Sequence, residues 1–145
     1  DGGKRVLNAD STLDWVGLGL AEMLARSGHE VRLCALGFNA GDNLPGTTKG
    51  HALGVLHGLG VRVEPLMRLG GFQDGTVYFE HAINGSVVEF AGVDNLILSH
   101  GGASDTRLEE ELAGITIPVL VAGDALGART VEEAILEGAR AGMAA

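Results

Sequence analysis

Apolar and polar positions in the first third of the chain follow two periods in turn. Residues 4 to 10 (KRVLNAD) form a short apolar run typical of a buried strand. Residues 16 to 28 then place apolar side chains on one helical stripe: Val16, Leu20, Met23 and Leu24. Gly28 suits a helix C-cap, and another buried-type strand runs from Val31 to Leu36. The pattern predicts a β-α-β unit.

The period of apolar positions changes between residues 37 and 91. A loop from Gly37 to Gly46 precedes a helix over about 48 to 59 and a strand over 61 to 66. The period then becomes two in three segments, 67–72, 76–81 and 86–91. Asp74-Gly75 and Asn84-Gly85, both hairpin signals, separate these segments. A three-stranded antiparallel meander is therefore predicted at 67–91.

The remaining pattern is again of the α/β kind. It predicts a short buried strand at 93–100, a helix at 104–114 capped by Ser104 or Asp105, a buried strand at 117–125 and a helix over about 129 to 142. The predicted fold class is α/β: a Rossmann-like three-layer domain in which a parallel sheet with helices carries an inserted antiparallel meander.

Composition narrows the function classes. The 145 residues carry a net charge of −9, which opposes binding to the phosphate backbone of nucleic acid. Although 46% of residues are hydrophobic, no apolar run approaches the roughly 20 residues of a membrane span. Cys34 is the single cysteine, so neither a disulfide nor a cysteine-ligated cluster can form within the chain. We therefore expect no nucleic-acid or membrane partner, and a cytoplasmic location.

The turn after the first predicted strand is where a dinucleotide-binding protein carries its G-x-G-x-x-G loop. There the glycines permit a tight turn, close approach of a pyrophosphate and close packing of helix on strand. Here Asp10, Thr12 and Trp15 occupy the turn, and Gly17 and Gly19 come only inside the helix. A side chain at the close-approach position and the charge of Asp10 predict that a diphosphate is repelled. Trp15 has two candidate roles, filling the vacated position or docking against further polypeptide.

The end of the second strand is a further test of dinucleotide binding. An Asp or Glu there would hold an adenosine ribose, and a nearby Arg would accept a 2′-phosphate. The sequence has Cys34-Ala35-Leu36-Gly37 instead. The five histidines match no zinc spacing, and no serine lies in a nucleophile-elbow motif. No catalytic residue and no metal ligand is predicted.

Four stretches resemble a known family: GKRVLNADS, LAEMLARSGHEVRL, VDNLILSHGGASDTRLEEEL and VLVAGDALGARTVEEAILEGARAG. They are similar to the carboxy-terminal nucleotide-binding region of flavin oxidoreductases of the trimethylamine dehydrogenase, histamine dehydrogenase and 2,4-dienoyl-CoA reductase group, within the NADH:flavin oxidoreductase family. The resemblance covers nearly the whole chain and is weakest from Phe38 to Lys49. LNADS resembles the amine-dehydrogenase branch, which does not need NAD(P)H, more than the reductase branch.

The resemblance implies a glutathione-reductase-like arrangement. Residues 4–100 would form an NAD(P)-binding-like subdomain, and residues 101–145 the return of the chain into an FAD/ADP-binding-type subdomain. It further implies ADP or FAD as the nucleotide of the complete protein and makes NAD(P)H less favoured. FMN and a 4Fe-4S cluster would belong to parts of such an enzyme that this chain does not contain. The chain alone is accordingly predicted to be inactive.

Two sets of cofactor-binding residues follow from these arguments. Any nucleotide at the first turn would meet Asp10, Ser11 and Thr12. By resemblance, ribose and phosphate groups would meet a second set of residues: Gly123, Asp124, Arg129 and Thr130. Asp124 and Gly123 have an alternative role as ordinary turn residues at a strand end.

Three functions remain open at this point. The first is a non-catalytic, ADP-type nucleotide-binding portion of a flavin-dependent amine dehydrogenase, completed by the rest of a larger flavoenzyme or by a partner subunit. The second is a working NAD(P)H-binding domain of a related reductase. The third is a self-associating interaction module, in which apolar surface is covered by a second copy as a homodimer.

Overall fold

The computed structural model describes residues 3–145, which divide into two compact units with the boundary between His100 and Gly101. The first unit begins with alternating strands and helices, as the sequence predicts. The bounds are β1 Arg5–Asp10, α1 Trp15–Arg26, β2 Glu30–Ala35, α2 Gly46–Gly58, β3 Arg62–Glu64, β4 Met67–Gln73, β5 Thr76–His81, β6 Val87–Ala91 and β7 Asn95–Ser99. No helix in residues 3–145 is long and apolar enough to cross a membrane.

A four-stranded parallel sheet in the order β3-β2-β1-β7 forms the middle layer of the first unit. One face of the sheet packs against α1 and α2 through a core that includes Leu18, Leu33 and Leu56. The other face packs against the meander through Leu7, Cys34 and Phe79. Since neighbouring side chains of a strand point to opposite faces, both faces are apolar and both are covered. The predicted three-layer α/β class is confirmed.

The meander β4-β5-β6 lies where the change of period places it. Both of its strand pairs are antiparallel. Asp74 and Gly75 have φ of 50° and 73°, which is the left-handed conformation that a two-residue hairpin turn requires. Phe79 is 1% exposed and packs edge-on against Phe90 with ring centroids 5.8 Å apart. Aromatic burial therefore fixes this small sheet against the parallel one.

Glycine ends α1 as the sequence predicts. Gly28, with φ of 85°, donates its N–H to the Ala25 carbonyl, and the His29 N–H reaches the Leu24 carbonyl. These two bonds define a Schellman motif. Gly60 ends α2 in the same way, with bonds to the His57 and Leu56 carbonyls from Gly60 and Val61.

The second unit, Gly101–Ala145, contains α3 Arg107–Glu111, a 3-10 turn at Gly123–Ala125 and α4 Val131–Ala144. Every residue from 101 to 145 is exposed or half-buried. The predicted strand at 117–125 is absent from the described structure of this unit, where residues 117–122 pair with no other strand. A strand needs a partner for its backbone groups, so this apolar run remains irregular. Thr106 is the N-cap residue of α3 but makes no side-chain cap bond, whereas Asp105, one of the two predicted caps, accepts the Arg107 N–H at 3.2 Å.

Candidate functional site

The candidate site of the first unit lies at the carboxyl ends of β1, β2 and β7. The chain reverses its strand order there, since β2 and β3 lie on one side of β1 and β7 on the other. In open α/β sheets this is the position where ligands bind. Residues 11 to 14 connect β1 to α1, so the turn is long and α1 begins only at Trp15.

Asp10 occupies the inside of this turn. Its side chain is 2% exposed, and Oδ1 accepts hydrogen bonds from the Thr12 N–H at 3.0 Å and the Leu13 N–H at 3.1 Å. The Thr12 hydroxyl lies 2.8 Å from the same oxygen. Leu13 has φ of 56°, a left-handed conformation that is uncommon outside glycine. The carboxylate thus closes the turn that glycines would otherwise make.

A second carboxylate caps the helix that follows. Asp14 is the N-cap of α1, and its Oδ1 accepts the Val16 N–H at 2.8 Å. The Thr12 hydroxyl also lies 3.0 Å from Asp14 Oδ1, so it bridges the two carboxylates. Backbone N–H groups at a helix N-terminus are the donors that hold a phosphate in dinucleotide-binding folds. One such donor, the Val16 N–H, is already bonded to Asp14, and the N–H groups of Thr12 and Leu13 in the preceding turn are bonded to Asp10.

Gly17 performs the packing role of the third glycine in the usual loop. A Cβ atom on Gly17 would overlap the Asp10 carboxyl group, because α1 approaches the end of β1 closely. Asp10 Oδ2 lies against this glycine and has no hydrogen-bond partner within residues 3–145. Trp15 is 61% exposed, so the Asp10 carboxylate fills the turn and the indole does not.

Buried polar groups behind the turn were missed by the sequence analysis. Asn8 is fully buried; its Nδ2 donates to the Gly17 carbonyl at 3.0 Å, and its Oδ1 accepts the Ser99 hydroxyl at 2.9 Å. The Ser11 N–H donates to the Ser99 carbonyl at 2.9 Å. The network ties β1, α1 and β7 together at the point where strand order reverses. The asparagine inside the apolar run VLNAD was the sequence feature that could have indicated this buried network.

The cavity beside the first turn is small. Asp10, Ser11, Arg68 and His100 are among the residues that line a cavity of about 160 Å³. Pockets for drug-sized ligands usually measure roughly 300 to 1,000 Å³. In the first unit alone, this cavity accommodates part of a nucleotide at most.

The loop after β2 contains no acid at the ribose position. The first acidic residue after β2 is Asp42, which accepts the Asn39 N–H at 2.8 Å and pairs with Lys49 Nζ at 3.0 Å. The Asn39 N–H bond, followed by the Lys49 hydrogen bond, holds the pKa of Asp42 below its ordinary value. This carboxylate therefore orders its own loop.

In the second unit, two of the four predicted residues, Gly123 and Arg129, contact one unpredicted carboxylate, that of Glu137. Gly123 has φ of 65° and donates its N–H to Glu137 Oε2 at 2.9 Å. The Arg129 guanidinium forms an ion pair with the other oxygen of Glu137. The Thr130 N–H donates to the Glu133 side chain at 3.2 Å, as in a capping box, and hydrogen bonding to Thr130 lowers the pKa of Glu133. The role of Glu137 could not be predicted from the sequence, because it lies 14 residues from Gly123.

Asp124 differs from Gly123, Arg129 and Thr130 in its hydrogen bonding. It is exposed and has no hydrogen bond to any other residue that the structure describes. A free carboxylate of this kind can accept two hydroxyl hydrogen bonds from a ribose. Among residues 3–145, no group of three His, Cys, Asp or Glu side chains is placed to hold a metal ion.

Fold and site together define a three-layer α/β domain with two carboxylates in the turn after its first strand. No protein-family model and no curated protein sequence matches the chain. Solved structures do. Histamine dehydrogenase from Rhizobium sp. 4-9 matches with a TM-score of 0.84 and 23% identity over 97% of this chain.

Two further structures share the fold. The amine oxidase for 6-hydroxypseudooxynicotine from Pseudomonas geniculata N1 gives a TM-score of 0.80 and 23% identity over 99% of this chain. A 2-naphthoyl-CoA reductase gives 0.74 and 21% over 95%. This chain spans only 23%, 22% and 20% of the three matched chains, respectively. The resemblance inferred from the sequence is confirmed at the level of the fold.

Proposed function

We propose that this chain is a nucleotide-binding-like, non-catalytic domain of a larger flavin-dependent oxidoreductase of the amine-dehydrogenase kind. The observation that carries the proposal is the occupation of the first turn by Asp10 and Asp14. Their oxygens accept the N–H groups of Thr12, Leu13 and Val16. A diphosphate at this turn would have to displace a buried carboxylate and then face its negative charge.

The NAD(P)H-binding alternative meets the same obstacle. The turn lacks free donors at these three positions, and β2 ends without an acid for the ribose or an arginine for a 2′-phosphate. Gly17 keeps the close contact between helix and strand, so the architecture of the fold persists without the phosphate cradle.

Nucleotide binding, in this proposal, belongs to the second unit of the complete protein. Asp124 would accept the ribose hydroxyls of ADP or of the ADP half of FAD. Gly123, Arg129 and Thr130 would position Asp124, since their own donors are bonded to Glu137 and Glu133. FMN and a 4Fe-4S cluster would lie in other domains of such an enzyme.

The partner of this chain would be the remainder of the flavoenzyme or a second subunit. Large apolar side chains are exposed throughout the second unit, at Ile117, Leu120, Val131, Ile135 and Met143 among others. Exposed apolar surface on this scale is typical of a surface that further polypeptide covers. The alternative occupant is a second copy of the chain, which light scattering would detect as an obligate dimer indifferent to nucleotides.

Titration of ADP, NADH and NADPH against the complete enzyme tests the proposal. We expect ADP to bind, and neither NADH nor NADPH to reduce the flavin. Asp124→Asn should weaken ADP binding about tenfold through loss of charge-assisted hydrogen bonds. Asp105→Asn, an exposed aspartate of the same unit that pairs with Arg107, is the matched control and should leave ADP binding unchanged. Tight NADPH binding with flavin reduction would overturn the proposal.

A further inference from the structure

Three arginines lie together at the amino-terminal edge of the parallel sheet, opposite the carboxyl-terminal edge with the candidate site, which we call the nucleotide crevice. The whole chain has ten lysine and arginine residues and a net charge of −9. Three of its arginines, Arg5, Arg32 and Arg62, line one cavity of about 260 Å³. We call this cavity, which is also lined by Phe90, the arginine pocket.

Strand register puts the three arginines on one face of the sheet. Arg32 is the direct partner of Arg62 across the parallel pair β2 and β3, and Arg5 is the partner of Glu30 across β1 and β2. Leu7, Cys34 and the meander cover the carboxyl-terminal part of the same face. The arginine pocket is thus the amino-terminal part of this face, beside the end of β6.

Only one of the three guanidinium groups is neutralised. Arg32 forms an ion pair with Glu64 and lies over the Phe90 ring, 4.4 Å from its centroid. For Arg5 and Arg62, residues 3–145 supply no ion pair. Glu30 also lines the pocket. The carboxylates of Glu30, Glu64 and Asp94 thus balance the three cations in number, but the guanidinium groups of Arg5 and Arg62 pair with none of them.

Backbone geometry holds Arg5 in position. Its N–H donates to Asp94 Oδ2 at 2.7 Å, and its guanidinium packs against Gly92 so closely that a Cβ atom there would overlap it. Gly92 has φ of 71°, which also favours glycine. Like charges directly opposite each other on neighbouring strands repel, and Arg62 lies opposite Arg32, whose charge Glu64 offsets in part. An anion between these side chains would remove that repulsion.

We propose that the arginine pocket binds a phosphate group of a small molecule. Guanidinium groups bind phosphate through paired, charge-assisted hydrogen bonds, for which Arg5 and Arg62 are free and Arg32 adds its charge. This site is distinct from the nucleotide crevice, because its lining residues come from the amino-terminal ends of β1, β2 and β3. The proposal goes beyond the proposed function and does not depend on it.

Inorganic phosphate is the probe for the test. Phosphate should raise the melting temperature of the full chain relative to chloride at equal ionic strength, and should bind with saturation by calorimetry. Arg62→Gln should weaken phosphate binding about tenfold and abolish the phosphate-dependent rise in melting temperature. In chloride this variant should melt at or above the wild-type temperature, since a like-charge contact is lost.

Arg26→Gln is the control variant, because Arg26 lies on the surface of α1 in an exposed pair with Glu22. It should keep the full response to phosphate, and Arg62→Lys should restore part of it. The absence of a phosphate effect on the wild type would overturn the proposal, as would equal responses in wild type and Arg62→Gln. Failure of ADP binding in the second unit would leave these results unaffected, so the two proposals fail separately.

Discussion

Asp10 combines a carboxylate with nearly complete burial, a combination that costs free energy unless the carboxylate is hydrogen-bonded. A buried carboxylate is tolerated when hydrogen bonds replace its water, and Oδ1 accepts two backbone N–H groups and contacts the Thr12 hydroxyl. The same bonds hold Leu13 in a left-handed conformation without glycine. Donors that would bind a ligand therefore stabilise the turn itself.

Cys34 provides a prediction at the residue scale. Burial raises the pKa of its thiol to about 12, with the nearby Glu64 adding to the effect. The unfolded thiol ionises near pH 8.5, so above that pH the unfolded state loses a proton that the folded state keeps. Stability should therefore fall as pH rises from about 8.5 toward 12.

Urea denaturation at pH 8 and pH 10 measures this effect. Between pH 8 and pH 10 the free energy of unfolding of the wild type should fall by about 1 to 2 kcal/mol more than that of Cys34→Ala. A thiol reagent at pH 8 should modify Cys34 only in the unfolded chain. Identical losses in the two proteins would contradict the prediction.

Strands and helices of the first unit form where the sequence periodicity and turn residues agree with the side chains that are buried. In the strands at 67–91, apolar positions alternate with period two, and Asp74-Gly75 forms the first hairpin turn. Val77 and Phe79 lie on the face toward the core. Helix α1 ends at the Gly28 Schellman motif. At 117–125 the composition favours a strand just as strongly, yet no neighbouring strand pairs with it in the described structure. Element identity therefore depends on the availability of a partner.

At the scale of the elements, two glycine-to-alanine substitutions should change the stability of the first unit in opposite directions. Gly54 lies inside α2, where a Cβ atom meets nothing within 4 Å, so Gly54→Ala should stabilise the first unit by about 0.5 to 1 kcal/mol. Gly28→Ala should destabilise it by about 1 kcal/mol or more, because φ of 85° is strained for alanine. Chemical denaturation of both variants measures these changes in stability. A loss of stability in Gly54→Ala would refute the prediction for that variant.

At the scale of the whole molecule, burial is unevenly distributed between the two units. All residues in the buried core lie between Val6 and Ser99. Each face of the parallel sheet is covered within the first unit, whereas the second unit has helices but no buried side chain among those described. Hydrophobic burial supplies most of the stability of a fold, so the first unit should be the stable one.

Hydrogen exchange of the full chain tests this difference. We expect backbone amides of β1, β2 and β5 to exchange at rates that reflect global unfolding, and amides of residues 115–145 to exchange with little protection. Adding the remainder of the enzyme should protect residues 115–145. Strong protection there in a monomeric chain would contradict the expectation, because it would require a core that the second unit lacks.

Part of the candidate site could be predicted from the sequence. The position of Asp10, Ser11 and Thr12 followed from the end of an apolar run, and the missing glycines were evident. The structure added Asp14, Asn8 and Ser99, whose side chains meet only after β1, α1 and β7 assemble. Glu137 and the arginine pocket were not predictable, since their partners lie far apart in the chain or on different strands.

The sequence by itself determined the order of elements in the first unit, the hairpin at Asp74-Gly75 and the end of α1, because these depend on periodicity and backbone preferences within a few residues. Only the tertiary structure decided that Asp10 turns inward onto N–H groups, that 117–122 stays unpaired and that Arg32 faces Arg62. Hydrogen bonds and charges act between groups brought together by folding, and the spacing of residues along a chain does not specify those distances.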